Sequence, residues 1–453
     1  MKKSKIEVLI KKFNQKDTIL VISKYPYKNI GESFHGVAVY TKNTLEAIAQ
    51  RTNQKFVVLI ENKYQRQAEL VANGSILLLP VFDNHPIQSF KQLLKIIKQF
   101  DQVANIQLHS EFYNSGNLLQ MSLLIPFLWL LRLKGKIVSF VAHNVVHDFS
   151  FLSNHLAKRE NSLKLTALVK MIPWYYRFLS VGVEQFITLD ESIYQRLSSY
   201  LWKKSKVKAT SIWLKNRKIS KKEQTLARQS LKLADNEIVL AVFGFMSRYK
   251  GVDTLLNNFI KFKNEFPRSK FKLLLAGGTA PSQKDLAHYK AFYRNLKNLS
   301  KSHQDIVLTG FIPEEKMKDY LAMTDVILLP YRGILVASAS WATVLSYGKA
   351  CFFSKALTPY FLADDVKQSL AKLKIDREEL IFDLSYSAFK NLLIGLEKDR
   401  SLIKQAGNFS RMLSTYRDEK ICIFRDFPPL YFPRQFAQNT AACYNLSDEK
   451  IPA

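Results

Sequence analysis

The sequence predicts an α/β protein with two doubly wound parallel sheets that face each other across a cleft. Three observations support this fold class. Short apolar runs typical of buried strands alternate with helical patterns along both halves of the chain. The chain has 453 residues, which is more than one hydrophobic core ordinarily serves. A basic stretch without a long apolar run, residues 202–223, separates the two series.

The N-terminal half contains six apolar runs of strand length, with helical patterns between most of them. Continuous apolar runs are typical of parallel strands that are buried on both faces. Because parallel strands need long connections, we expect right-handed helical crossovers between them. The predicted strands are residues 18–23, 55–60, 75–79, 105–108, 136–141 and 186–189.

The alternation resumes in the C-terminal half at Ile238, where residues 240–243 are continuously apolar. After Tyr416 the pattern becomes irregular and aromatic. Further strands are predicted at residues 270–276, 306–308, 326–329 and 351–353.

The domain boundary is predicted near residue 215, late in the basic stretch. Residues 1–215 then form an N-terminal domain and residues 216–416 a C-terminal domain, while residues 417–453 pack back on the first. The opening segment, residues 1–16, is expected to form a basic amphipathic helix or arm, because its short apolar run lacks the core of a signal peptide.

The formal charge of +29 points to an anionic partner: nucleic acid, a phosphorylated small molecule or an anionic membrane surface. A hydrophobic content of 47% excludes a disordered chain. The three cysteines are widely spaced, so we expect neither a metal cluster nor a disulfide framework, as in a reducing compartment.

The most informative stretch, residues 239–256, has the pattern of a buried strand, a short loop and a helix start. Arg248 and Lys250 lie in the loop, and Asp253 is the predicted N-cap. Ligands of open α/β sheets bind at the carboxyl ends of strands. Two cations beside a helix N-terminus suit a diphosphate there. A solvated basic loop is the alternative.

Three loops after predicted N-terminal strands collect candidate binding residues. Gly36 would let the backbone approach a ligand closely, although a simple turn glycine has the same pattern. His109 and Glu111 suit acid/base or hydroxyl-binding roles, with a structural role left open. His143 and Asn144 suit hydrogen bonds to a sugar hydroxyl or a phosphate. A metal site around His143 lacks an obvious third ligand.

A fourth loop follows the predicted strand at residues 326–329. Tyr331 and Arg332 come first, and the small residues around Ser338 and Ala339 then open a predicted helix. Small residues at a helix start let a phosphate approach the backbone N–H groups. Simple helix capping by a serine is the alternative.

Residues 161–182 mix basic side chains with large apolar and aromatic ones. The mixture is typical of a helix that lies on an anionic lipid surface, and a core helix with a basic edge is the alternative. The longest apolar run, residues 118–131, is shorter than the roughly 20 residues of a spanning helix, so we expect a buried helix there.

In order and spacing, these segments resemble the GT-B glycosyltransferases of retaining family four, over roughly residues 18–416. The family has two Rossmann-like domains facing a cleft. The segments that carry the resemblance are SKYPYKNIGESFHGVAVYTKNTLEAI, QLHSEFYNSGN, FVAHNVVHD, FGFMSRYKGVDTLL, LLLAGGTAP, IVLTGFIPEEKMKDYLAMTDVILLPYR and SYGKACFFSK.

The resemblance implies that the C-terminal domain holds a nucleotide diphosphate sugar and the N-terminal domain the acceptor. Lys250 and Arg248 then neutralise the diphosphate, a task that a metal ion performs in other transferases, so neither metal nor cofactor is implied. His143 touches the donor sugar. The remaining donor-binding residues are Gly36, Gly244, Gly278, Tyr331, Arg332, Ser338, Ala339 and Thr343. The acceptor-side residues are His109, Glu111 and Asn144.

The chain departs from the family's pattern at both glutamates of its E-x7-E motif. Leu335 and Thr343 occupy those places. Ala339 replaces a glycine that usually follows the serine, and Phe245 or Met246 replaces an arginine. Thr343 is a weak substitute for the glutamate that holds the ribose hydroxyls.

The resemblance implies a retaining, metal-independent hexosyltransferase, which we expect to act in cell-envelope or exopolysaccharide synthesis. Its acceptor is a glycan or a lipid-linked sugar, and it is cytoplasmic or peripheral on the inner face of the cell membrane. A catalytically silent, transferase-like scaffold stays open because both glutamates are missing. A nucleic-acid-binding protein is suggested by charge alone, without a recognised helix-turn-helix, zinc-finger or RNA-recognition motif.

Overall fold

A computed structural model describes residues 3–26, 36–62, 67–83, 85–110, 118–145, 163–280 and 283–432. These residues form an eight-stranded and a six-stranded sheet, both flanked by helices. The predicted class, α/β with two doubly wound parallel-sheet domains, is confirmed.

The N-terminal sheet has the strand order β3-β4-β2-β1-β5-β6-β7-β8. All neighbours are parallel except β3 and β4. The six predicted strands are present, whereas β3 and β8 were not predicted, because each is short and only partly buried. The strands are β1 (Ile19–Ile22), β2 (Phe56–Glu61), β3 (Glu69–Val71), β4 (Ile76–Phe82), β5 (Asn105–Ser110), β6 (Ile137–Ala142), β7 (Gln185–Thr188) and β8 (Val207–Ala209).

Side chains of β1 alternate between two cores, as strand geometry requires. Leu20 and Ile22 join the core under five helices, and Ile19 and Val21 join a smaller core on the other face. The helices of this half are α1 (Lys3–Phe13), α2 (Gly36–Arg51), α3 (Pro86–Ile97), α4 (Leu118–Leu133), α5 (Leu163–Gly182) and α6 (Glu191–Tyr200).

The C-terminal sheet has the order β11-β10-β9-β12-β13-β14, and all its neighbours are parallel. Its central strand β9 is buried along its whole length. The two-residue β14 was not predicted. The strands are β9 (Ile238–Phe243), β10 (Phe271–Ala276), β11 (Ile306–Leu308), β12 (Val326–Leu329), β13 (Ala350–Ser354) and β14 (Ile381–Phe382).

Nine helices of the described residues follow β8 in the chain. The helix after β9 begins at Val252, behind Gly251 in the left-handed conformation. The predicted N-cap Asp253 was therefore wrong, since it lies inside the first turn. The helices are α7 (Lys221–Ser230), α8 (Val252–Glu265), α9 (Ala287–Lys301), α10 (Glu314–Met323), α11 (Ala339–Ser346), α12 (Asp364–Leu373), α13 (Tyr386–Lys398), α14 (Ser401–Tyr416) and α15 (Glu419–Tyr431).

Two segments connect the N-terminal and C-terminal sheets, and they run side by side. Leu214 N donates to Arg417 O over 2.7 Å, and Glu419 N donates to Leu214 O over 2.8 Å. Helix α15 then packs on the N-terminal sheet through Ile423 and Phe427. Within the segment predicted to be irregular after Tyr416, residues 419–431 thus form a helix, with apolar residues at helical spacing that could have indicated it.

Candidate active site at the carboxyl ends of the sheets

The turn after β9 holds Lys250 at the carboxyl end of the C-terminal sheet. The lysine closes a single helical turn, Arg248–Lys250, and only 6% of it is exposed. Its Nζ donates to Ser340 Oγ over 3.1 Å and lies 5.8 Å from the ring centre of Tyr331. Within the described ranges no carboxylate pairs with Lys250, so its buried charge is left for an incoming anion to balance.

Glycine is required at position 244, directly after β9. Gly244 has φ +99°, in the region that favours glycine, and a Cβ there would lie 2.3 Å from Ser340 Oγ and 2.7 Å from Lys250 Nζ. The missing side chain makes room for the ammonium group of Lys250, and a role of Gly244 in donor binding stays a prediction.

Ser338 caps α11 beside this turn. Its Oγ accepts from Trp341 N over 3.1 Å and lies 3.0 Å from Tyr331 Oη. Capping, the alternative considered for this serine, is what its side chain does. The backbone N–H groups at Ala339 and Ser340 belong to the first helical turn, where they are available to an anion.

Arg332 and Arg248 differ in how many hydrogen bonds their guanidinium groups make within the protein. Arg332 donates to Arg248 O over 2.8 Å, to Asp253 Oδ2 over 2.9 Å and to Thr254 Oγ1 over 2.6 Å. Its guanidinium therefore joins the fourth loop to the start of α8. The exposed Arg248 lies 5.1 Å above the ring of Phe292, and this contact leaves its N–H donors for other partners.

Gly278 and Thr343, two other predicted donor-binding residues, have structural roles in this conformation. A Cβ on Gly278 would lie 2.7 Å from Phe311 N, so glycine permits the close approach of two loops. Thr343 Oγ1 donates to Ala339 O over 3.0 Å, one turn back in α11.

On the N-terminal side, His109 and His143 meet at the ends of β5 and β6. His109 Nδ1 lies 3.2 Å from His143 Nε2, and His109 Nε2 lies 3.0 Å from Gln107 Oε1. Both rings are almost fully buried. Burial lowers the pKa of His143 to about 3, and burial together with the neighbouring His143 lowers the pKa of His109 well below its usual value. Both imidazoles are therefore neutral near pH 7.

The donor and acceptor roles in this pair follow from Gln107. A carboxamide oxygen only accepts, so His109 Nε2 carries the proton and its Nδ1 accepts from His143 Nε2–H. The Oγ1 of Thr41 lies 3.3 Å from the same Nδ1. This arrangement leaves His143 Nδ1 as an acceptor.

The other N-terminal candidates are Asn144, Gly36 and Glu111. Asn144 is buried, and its backbone carbonyl accepts from Tyr176 Oη over 3.5 Å. Gly36 opens α2 on an exposed surface, and nothing lies within 4 Å of a Cβ built there. Glu111 lies outside the described residues.

The two halves meet at the loop before α11. Arg196 Nη1 of α6 donates to Ile334 O over 2.9 Å. Leu335 and Ala337 pack against the core of the N-terminal sheet. The first position of the missing glutamate pair thus carries an apolar side chain at the junction, where a carboxylate would be desolvated.

The sequence did not indicate three buried polar groups at this junction. Asp190 comes from the N-terminal half, and burial raises its pKa. Tyr360 stacks on Trp341, with ring centres 4.8 Å apart, in the C-terminal half. Among the described residues, Asp190 Oδ2, Tyr360 Oη and Trp341 Nε1 have no hydrogen-bond partner.

The two described cysteines are buried. Burial raises the pKa of Cys351 and Cys422 to about 12, so neither thiol is a reactive nucleophile. In the described ranges no three His, Cys, Asp or Glu side chains are grouped to hold a metal ion. A surface pocket of about 560 Å³ contains none of the predicted site residues; its lining is Arg217, Lys218, Glu314, Glu315, Lys318 and Tyr347.

One family model matches part of the C-terminal half of the chain. Residues 237–366, which include Lys250 and Ser338, match the family model described as Glycosyl transferases group 1. The comparison with curated proteins finds no match.

Solved structures of glycosyl-transfer enzymes share the fold over most of the chain. Sucrose-phosphate synthase from Thermosynechococcus elongatus has a TM-score of 0.63 at 14% identity, covering 94% of this chain and 100% of its own. Anabaena Alr3699/HepE in complex with UDP-glucose has a TM-score of 0.61 at 13% identity, and the match covers 94% of this chain and 99% of that one. A UDP-forming trehalose-phosphate synthase from Burkholderia xenovorans, in complex with glucose-6-phosphate, has a TM-score of 0.58 at 11% identity. The match covers 91% of this chain and 99% of that one. The chain therefore has the GT-B fold, as predicted, and residues 237–366 are similar to the glycosyl transferases group 1.

Proposed function

We propose that this protein is a glycosyltransferase that moves a sugar from a nucleotide diphosphate sugar to a glycan or lipid-linked acceptor. One observation carries the proposal. Lys250 is buried without a paired carboxylate among the described residues, beside the N-terminus of α11, in the segment that matches the family. A buried cation and a helix N-terminus together attract a diphosphate.

In the proposed reaction the acceptor hydroxyl attacks the anomeric carbon on the face that the diphosphate leaves. The C–O bond to the diphosphate breaks as the new glycosidic bond forms, and the leaving diphosphate takes the proton of the acceptor. Configuration is thereby retained. Lys250, Arg248 and the N–H groups of Ala339 and Ser340 stabilise the departing charge, which is the task that other transferases give to a metal ion.

Neutral His143 suits a contact with a sugar hydroxyl, because an uncharged imidazole offers an acceptor nitrogen without attracting the diphosphate. His109 and Gln107 would hold its ring in one orientation. We assign the acceptor to this N-terminal side.

The donor is proposed to be a UDP-sugar, since Alr3699/HepE was solved with UDP-glucose and shares this fold. A setting in cell-envelope or exopolysaccharide synthesis, on the inner face of the cell membrane, accords with a lipid-linked acceptor and with the charge of +29.

A catalytically silent, transferase-like scaffold is the second candidate. It is favoured by Leu335, which packs at the domain junction, and by Thr343, whose hydroxyl bonds within its own helix. Neither position offers a carboxylate to the donor.

A donor screen separates the two candidates. Purified protein is incubated with UDP-glucose and other nucleotide sugars, with and without glycan and lipid-linked acceptors, and released nucleoside diphosphate is measured. Release by the wild type and not by Lys250→Ala supports the transferase. UDP binding without release under any condition supports the silent scaffold. Absence of both binding and release would overturn the proposal.

A further inference from the structure

Helix α5 is apolar on two opposite sides. One stripe is buried in the N-terminal core: Ile172, Tyr176 and Leu179, followed by Val183 directly after the helix. The other stripe, at the same helical spacing, is exposed: Met171 63%, Trp174 52%, Phe178 42% and Val181 44%. An apolar stripe on a helix normally packs against a core or a partner.

Two neighbouring elements extend the exposed stripe. On α4, Trp129, Leu130 and Leu133 are exposed, and Leu133 is 84% exposed. The helix expected to be buried over residues 118–131 is therefore exposed on the side of Trp129 and Leu130. Trp202, after α6, is 58% exposed. We call the eight residues the aromatic face: Trp129, Leu130, Leu133, Met171, Trp174, Phe178, Val181 and Trp202.

Ring contacts and backbone packing make the aromatic face one surface. The ring centre of Phe178 lies 6.5 Å from that of Trp129 and 6.4 Å from those of Trp174 and Trp202. Trp129 Nε1 donates to Phe178 O over 2.8 Å. A Cβ on Gly182 would lie only 2.7 Å from the backbone of Leu128, so α4 and α5 pack in close contact.

The three segments that carry the aromatic face are basic, and the acidic residue that follows the second one, Glu184, interacts electrostatically with Lys206 of the third. Segments 118–136, 163–183 and 201–209 contain no Asp or Glu. Exposed basic side chains adjoin the apolar residues in all three segments: Arg132, Lys134, Lys170, Lys203, Lys204 and Lys208. A second copy of this chain would bring like charges together on such a surface, whereas anionic phosphates would be attracted to it.

We propose that the aromatic face docks the N-terminal domain on the anionic surface of a lipid bilayer. Tryptophan and phenylalanine side chains enter the interface between headgroups and acyl chains, and the surrounding lysines and arginines contact lipid phosphates. Among the described residues, no helix is long and apolar enough to cross a bilayer. The inference deepens the proposed function by naming the surface at which a lipid-linked acceptor would be met.

Vesicle cosedimentation of the full chain tests this assignment. Phosphatidylcholine vesicles with and without phosphatidylglycerol are compared at low and high salt. We expect binding to the anionic vesicles alone, weakened by salt. The double variant Trp174→Ser/Trp202→Ser should bind about tenfold more weakly. Its matched control is Phe424→Ser, which changes a 70% exposed aromatic residue on α15 and should bind as the wild type does.

Charge is tested by Lys203→Gln/Lys204→Gln against Lys221→Gln/Lys222→Gln, a second exposed lysine pair, on α7. Only the first pair should weaken binding. The assignment is overturned if the wild type does not bind anionic vesicles at low salt. It is equally overturned if the control variants lose as much vesicle binding as the test variants. It is also overturned if light scattering shows a dimer that the Trp174 and Trp202 changes dissociate. Vesicle binding needs no donor, so its failure is distinguishable from failure of nucleotide release.

Discussion

Lys250 Nζ donates a hydrogen bond to Ser340 Oγ over 3.1 Å, in a space that exists because residue 244 has no side chain. The bond connects the turn after β9 to the first turn of α11. It holds the ammonium group where the helix N–H groups also point, so both can act on one diphosphate.

Ser340→Ala should weaken UDP binding about fivefold to tenfold, because Lys250 loses the acceptor that fixes its position. The effect should appear as a higher KM for the donor, with a smaller change in kcat, and thermal unfolding should stay unchanged. Calorimetric titration with UDP measures it. The matched control is Ser346→Ala, a serine at the other end of α11 whose Oγ donates to Thr343 O. Equal UDP affinity in the Ser340 variant and the wild type would refute this positioning role.

Gly244→Ala should destabilise the protein by about 1–3 kcal/mol and abolish UDP binding, because the new methyl group meets both partners at a left-handed backbone position. Chemical denaturation measures the loss. Gly395→Ala is the control, since a Cβ there has nothing closer than 3.9 Å inside α13. That variant should be as stable as the wild type or more so. A fully stable, UDP-binding Gly244 variant would contradict the geometry of the turn.

The histidine pair should make stability fall in acid. Between the unfolded histidine pKa of about 6.5 and the lowered folded values, the unfolded chain binds protons that the folded protein does not. The free energy of unfolding therefore decreases as pH falls through this window, by up to about 1.4 kcal/mol per pH unit for each histidine.

His109→Gln/His143→Gln should consequently lose less thermal stability than the wild type between about pH 7 and pH 5. Scanning calorimetry at both pH values measures the difference. His288→Gln, a change outside the pair, should leave the wild-type difference intact. If the double variant and the wild type lose equal stability, the pair is not held neutral by burial.

The sequence predicted most strands of the two sheets but not the short strands β3, β8 and β14. A six-residue apolar run such as β9 can be recognised as a strand from the sequence, because both of its faces are buried and all its residues are apolar. The two residues of β14 form a strand only because β13 lies beside them. The cap of α8 was mispredicted because an Asp is a common N-cap, whereas here the turn is made by Gly251 and Asp253 pairs with Arg332.

The candidate site was predicted in part for the same physical reason. Residues directly after strands could be assigned to one edge of a sheet, and Lys250, Tyr331 and Ser338 do lie together there. The contact between His109 and His143 depends on the parallel register of β5 and β6, which pairs His109 with Val141. Side-chain partners such as Ser340 depend on rotamers that the sequence does not encode locally.

Turnover of Lys250→Ala tests the central claim most directly. The substitution should raise the activation barrier by roughly two to four kcal/mol, so the rate of nucleoside diphosphate release from the donor found in the screen should fall about 30-fold to 1,000-fold. The melting temperature should be kept, and Lys297→Ala, an exposed lysine on α9, should turn over as the wild type does. Wild-type rates in a folded Lys250→Ala variant would contradict the assignment of the diphosphate to this lysine.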